Sequence, residues 1–226
     1  MPTYKFLRVF CAADGSGGNP LAVFLDGAAV PAGERQEVAA QLGYSETVFV
    51  DDRAEGLIRI YTPTGELPFA GHPTVGTSWL LRAEGPGVDV LRPPAGDVPT
   101  WRDGELTWIR ARADWVQVIE MEELGSAADV EGLLGPPEGA TSYYPWAWID
   151  EAEGIVRSRY FFSALGIDED EATGAAAVVL GDRLGRAITI RQGQGSELRV
   201  RPGPDGTVEV GGRCGGLEER AWPPGA

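Results

Sequence analysis

The hydrophobic pattern divides the chain into two runs of similar order. Thr3 to Phe10 alternates apolar and polar positions and predicts a strand, as does Leu21 to Leu25. Ala32 to Leu42 places Val38, Ala39 and Leu42 on one helical face, and strands are expected at Thr47 to Asp51 and Leu57 to Thr62. Gly71-His72-Pro73 then opens an apolar stretch, Thr74 to Leu81, long enough for a buried helix, and Glu105 to Ala113 closes this half as a strand. The Gly- and Pro-rich segment Leu124 to Ala140 predicts a connection with one short helix at Val130 to Leu134.

Beyond the connection the order recurs. Ile155 to Ser163 predicts a strand, an acidic turn follows, and Thr173-Gly174 opens an Ala/Val/Leu helix to Leu184, with strands near Ile188, Leu198 and Val208. The halves share little identity, yet each runs strands, a small-residue turn, an apolar helix and more strands. A helix apolar on every side has to be enclosed, so the pattern predicts two α+β lobes, residues 1–122 and 123–226, each a curled sheet around a central helix. With the lobes face to face, both helix N-termini point into one cleft.

Charge and composition narrow the function. The 34 acidic residues against 19 basic give a formal charge of -15, which repels nucleic-acid phosphates and anionic lipid alike. No apolar run nears the roughly 20 residues of a membrane span, and Met1-Pro2-Thr3-Tyr4-Lys5 lacks a signal-peptide core, so a cytoplasmic protein without nucleic-acid or membrane partners is expected. Cys11 and Cys214 are too few for a disulfide framework, and a single histidine, His72, removes the imidazole clusters of most transition-metal sites. Neither Gly15 to Gly18 nor Gln192-Gly193-Gln194-Gly195 completes a nucleotide-binding motif. No metal and no cofactor are expected. The seven tryptophans are read as core or interface packing.

Three places could carry acid/base chemistry. Glu46 stands between two hydroxyls in Ser45-Glu46-Thr47. A glutamate there is most often a solvated turn residue, but aliphatic and aromatic neighbours would desolvate it and raise its pKa toward a useful range. His72 follows Gly71 at a helix start, where the dipole keeps an imidazole neutral. In Asp168-Glu169-Asp170-Glu171 the simplest role is to complement the second helix dipole; the functional version turns Asp170 inward and leaves the amides of Thr173, Gly174 and Ala175 to receive a substrate carboxylate.

Together, Gly18-Asn19-Pro20-Leu21-Ala22-Val23, Ser45-Glu46-Thr47, Glu66 to Pro73 and Asp170 to Gly174 resemble, in order and spacing, the PhzF-like isomerases of the phenazine-biosynthesis family. The likeness runs from Lys5 to Gly212, stronger in the first half, with Gln192-Gly193 and Val210-Gly211-Gly212 as later landmarks. It implies the diaminopimelate-epimerase-like fold, with the site between the lobes. It also implies a cofactor-independent isomerase in which Glu46 moves a proton on a small unsaturated carboxylate. His72 and Asp170 would orient the substrate, Gly71 and the second helix start would hold its carboxylate, and the assembly would be a homodimer. Where epimerases of that fold carry two cysteines, this chain has His72 and Asp170, which disfavours a two-thiol racemase. Two departures stand out: Glu171 occupies the family's Pro position, and Ala175 its Ser. An epimerase using Glu46 with another acid, or a binding protein that has lost its chemistry, are the alternatives.

Overall fold

The computed structural model describes residues 2–163 and 168–222. Alternation in the first half becomes β1 (Thr3–Cys11), β2 (Gly17–Phe24), β3 (Glu46–Asp52), β4 (Leu57–Tyr61) and the two-residue β5 (Glu66–Leu67), which lie in spatial order 5-4-3-2-1. The helix α1 (Arg35–Leu42) is shorter than its apolar face predicts, because Ala32–Glu34 forms a separate 3-10 turn; Gly43, at φ 67°, ends it. Conversely, α2 (Gly71–Glu84) begins three residues before the expected Thr74. Pro73 lies in its first turn, where a missing N–H removes no helical hydrogen bond.

Two strands follow that cover α2, β7 (Val98–Asp103) and β8 (Leu106–Ala111), with the short β6 (Val90–Leu91) pairing β7. The pattern predicts β8 but not β7. In the second half, β9 (Glu120–Glu123) leads to α3 (Ala127–Glu131), which starts earlier than the expected Val130 because the Ser126 hydroxyl accepts the Asp129 amide at 3.2 Å. The strand β10 (Tyr143–Asp150) escapes the periodicity reading because Pro145 interrupts it; its neighbour there is the four-residue β9, so the missing donor costs little. The expected Ile155 to Ser163 strand is β11 (Ile155–Ser158), and a single bridge from Phe161 to Tyr143 continues it. Last come α4 (Gly174–Leu184), β12 (Ile188–Gln192), β13 (Ser196–Pro202) and β14 (Val208–Ala221).

The long β14 joins the two halves. Its first part pairs with β13 and β8, from Val208 opposite Ala111 to Gly212 opposite Thr107, and its second part pairs with β1, from Arg213 to Ala221. One continuous core results, holding Leu7, Val9 and Leu21 with Val75 and Leu80 of α2, and Val178 and Leu180 of α4 with Leu198 and Val210. Each central helix carries a glycine where it meets its sheet. A Cβ on Gly76 would lie 2.5 Å from Leu21 and 2.6 Å from Val9, and one on Gly181 would collide with Val200 and Val208. The Trp residues are largely packing elements, as with Trp146, buried in the core, and Trp101 stacked on Trp108 at 6.3 Å.

The helices meet N-terminus to N-terminus. A Cβ on Gly71 would stand 2.5 Å from the Gly174 carbonyl carbon, and one on Gly174 would stand 2.7 Å from the His72 amide. Backbone, not a flexible side chain, occupies that space, so any added atom must push the helices apart. Gly71→Ala and Gly174→Ala are each expected to cost about 1–3 kcal/mol, from overpacking alone. Thermal unfolding of the two variants against the neutral control Gly33→Ala, where a Cβ meets nothing within 4 Å, checks this.

Candidate active site

Parallel pairing of β2 and β3 sets Leu21 opposite Glu46, the first residue of β3, and aims the glutamate at the start of α2. Its Oε2 lies 3.1 Å from His72 Nδ1. His72 is 2% exposed, and its Nε2 has no hydrogen-bond partner among the described residues. From the other half comes Asp170, 6% exposed, in the turn before α4. Glu46, Asp170, Thr173 and Ala175 line one cavity. The three acid/base candidates and the second helix start therefore converge, whereas Gly71 and Gly174 pack on each other behind this wall and Ala70 takes the lining position.

Asp170 is held from several sides. Asn19 Nδ2 donates to its Oδ1 at 2.7 Å and to the Ala172 carbonyl at 2.9 Å, while the Asn19 carbonyl oxygen accepts from the Ser45 hydroxyl at 3.1 Å. Thr173 Oγ1 lies 2.5 Å from Oδ2, Gln192 Nε2 donates to the Asp170 carbonyl at 2.9 Å, and the Asp170 amide donates to the Tyr160 carbonyl at 2.9 Å. The Thr173 amide is not free for a ligand: it donates to Gln192 Oε1 at 3.2 Å. Only the amides beyond it, from Gly174 on, remain as orphan donors of the helix start. Asn19, Ser45 and Gln192 stood in recognisable motifs, but nothing in their spacing revealed this shared work.

Electrostatics divide the two carboxylates. Burial pushes Glu46 upward, but the facing His72 charge, its contact and the Ser45 hydroxyl outweigh it, so Glu46 lies below the ordinary value. Burial alone would lower His72; the adjoining Glu46 carboxylate and then Asp170 outweigh it, and the imidazole is raised. Both directions reverse the sequence expectations of a neutral His72 and a raised Glu46. The reason is their contact: each supplies the other's counter-charge. Asp170 lacks such a partner, so burial first and the Glu46 charge second push it to about 7.

The remaining walls are mostly apolar, with Gln117 and the hydroxyls of Ser142 and Tyr160 as their polar groups. Leu67, Pro68 and Phe69 face Trp115, Val116 and Ile119, with Phe69 and Trp115 edge to face at 5.7 Å. The cavity volume is about 60 Å³, well below the ~150 Å³ of a cavity that admits a benzene ring, so a ring-sized ligand requires these walls to part. Among the described residues, no cluster of three His, Cys, Asp or Glu side chains could hold a metal ion. Cys11 and Cys214 lie on β1 and β14 outside the cavity, and burial raises both thiols.

The site supports comparison with known proteins. A family model for phenazine biosynthesis-like proteins matches residues 8–114. A trans-2,3-dihydro-3-hydroxyanthranilate isomerase of Pseudomonas fluorescens is 34% identical over 220 residues, covering 80% of this chain and 79% of the relative. Among solved structures, a PhzF-family protein of Bacillus anthracis superposes with a TM-score of 0.77 at 19% identity, over 96% of this chain and 97% of that one. A probable proline racemase from Agrobacterium radiobacter gives 0.64 at 14% identity, over 98% and 93%. The fold is thus the diaminopimelate-epimerase-like α+β architecture. The chain belongs to the phenazine biosynthesis-like family and is an isomerase. Among the described residues no helix is long and apolar enough to cross a membrane.

The raised Asp170 sets a stability prediction. Unfolded, an aspartate titrates near 3.9; folded, this one titrates at about 7, so between those values the folded state holds a proton that the unfolded state has lost. Its contribution to stability therefore falls as pH rises from 4 to 7 and is lowest above 7. Asp170→Asn, which keeps the neutral form's shape, is expected to stabilise by on the order of 2 kcal/mol at pH 8 and to leave pH 4 stability nearly unchanged. Denaturant titrations at the two pH values read this directly.

Proposed function

We propose that the chain catalyses a proton shift with double-bond migration on a small unsaturated cyclic or amino-acid-like carboxylate, without a cofactor. The product would enter specialised metabolite synthesis. The observation that carries this reading is the pairing of an ionised Glu46 with a neutral-leaning Asp170 in one cavity, Glu46 reaching from β3 to the start of α2 and Asp170 lying in the turn before α4. Glu46, kept ionised by His72, is the base that takes a proton from one carbon and returns it to another. Asp170, protonated over part of the neutral range, donates to the oxygen on which charge collects, and the α4 amides help hold the carboxylate. The apolar walls suit the hydrocarbon face of a partly unsaturated ring and strengthen each interaction by excluding water. The named relative's substrate, trans-2,3-dihydro-3-hydroxyanthranilate, has this character. A cytoplasmic homodimer with no nucleic-acid or membrane partner fits the charge of -15.

A second reading draws on the same geometry. Two carboxylates from opposite halves, one ionised and one protonated, also satisfy a transfer in which one face loses a proton and the other gains one. That reaction inverts a centre and moves no double bond.

Proton NMR in D2O with dihydroaromatic and alkenyl amino acids separates the readings. Deuterium entering at one carbon as the double bond shifts, and at least 100-fold slower in Glu46→Gln, is the expected result. Exchange with inversion selects the epimerase, and exchange undiminished in Glu46→Gln removes Glu46 as the base. Replacing His72 by Asn takes the counter-charge from Glu46, so the acidic limb of the pH–rate profile is expected to move upward.

A further inference from the structure

Two hydroxyls in the cavity take no part in the acid/base pair or the helix start. Ser142, just before β10, and Tyr160, beyond the end of β11, have their oxygens 2.9 Å apart, and both line the space shared by Glu46, Asp170 and Ala175. Tyr160 is 3% exposed. Burial holds its phenol above the ordinary value, and the charges of Asp170 and Glu46 add to this, so it keeps its proton through the neutral range. Two hydroxyls bonded to each other use one of their two hydrogens. Among the described residues no other side-chain hydrogen bond engages either group, which leaves one donor for a ligand.

Among the described residues no Lys, Arg or His lines this cavity. A carboxylate entering it must be held by neutral donors and by the helix start. At that start the side chain is Ala175, which offers no hydroxyl; of the other neutral donors lining the same cavity, Thr173 is engaged with Asp170, Gln117 lies on the Trp115–Ile119 wall, and the Ser142–Tyr160 pair is buried beside Asp170 and Glu46. We infer that Ser142 and Tyr160 form the carboxylate-recognising element of this enzyme, binding the substrate carboxylate oxygen that a hydroxyl at position 175 would otherwise take. This rests on the isomerase reading above for the presence of a carboxylate, and it assigns specificity to residues 142 and 160.

The test is a binding cycle using anthranilate as probe, followed by calorimetry. Tyr160→Phe and Ser142→Ala are each expected to weaken anthranilate at least about 10-fold, the effect of losing one hydrogen bond to a charged group. Adding Ala175→Ser to either variant is expected to recover most of that loss, and to strengthen binding by a larger factor there than in the unmutated protein. Such non-additivity marks a shared ligand group, which a packing role for Tyr160 would not produce. If Tyr160→Phe fails to fold, the half-buried Ser142→Ala carries the same prediction. The inference is overturned if the unmutated protein does not bind anthranilate, if both variants bind it within twofold of normal, or if Ala175→Ser recovers nothing. Deuterium exchange in Glu46→Gln is scored separately: its persistence sinks the acid/base reading and leaves the binding cycle intact.

Discussion

Everything in this site depends on two helix N-termini pressed together. Each start carries roughly half a positive charge, and at Gly71 and Gly174 the two backbones are so close that no Cβ fits between them. Such a contact is unfavourable unless negative charge lies nearby. Glu46 comes from β3 and Asp170 from the turn before α4, and the contact thereby becomes a place where anionic groups are stabilised. The same concentration of positive potential suits a substrate that arrives as a carboxylate and gains further negative charge when it loses a proton.

The division of labour between the carboxylates then follows from one histidine. Two buried acids in one small space cannot both ionise cheaply at neutral pH. His72 sits beside Glu46, so that acid gives up its proton first, and its charge in turn helps hold the proton on Asp170. Asn19 and Thr173 hold the Asp170 carboxyl group by hydrogen bonds, and Gln192 holds its backbone carbonyl. The two side-chain bonds favour the charged form, but burial and the Glu46 charge outweigh them, so the acid stays raised.

Much of this was legible in the sequence because it rests on local patterns. Glycines before two apolar helices, a lone histidine behind one of them and an acidic run before the other identified Gly71, His72, Asp170 and Gly174 together, and the repeated order of elements predicted two helix starts in one cleft. What stayed hidden depends on distant contacts. The pKa directions of Glu46 and His72 came out opposite to expectation because each was read alone, where burial or the dipole governs, and not as a pair. Tyr160 and Ser142 are 18 residues apart in segments with no motif, and the bridge from Phe161 to Tyr143, with the Arg159 amide donating to the Pro145 carbonyl, brings them side by side. The expected strand near Val208 extends as β14 to Ala221, and the strand character of its polar end comes from pairing with β1, with Arg220 stacked 3.8 Å over Phe6.

The two departures from the family pattern also separate physically. Glu171, in place of proline, turns away from the cavity: its carboxylate accepts the Gln194 amide at 2.9 Å and the Ser196 hydroxyl at 2.7 Å, and Ser196 in turn accepts the Gly18 amide at 2.9 Å. It fills the space where Gly193, at φ 58°, has no Cβ, and so ties the β12–β13 turn to the β1–β2 turn across the two halves. A proline there could make none of these bonds, so the exchange is a change of scaffold with its own compensation. Ala175 is different because it faces the cavity and removes a donor without any partner of its own. Of the two departures, it is therefore Ala175 that changes the hydrogen-bonding surface of the cavity, beside an unaltered Glu46, His72 and Asp170.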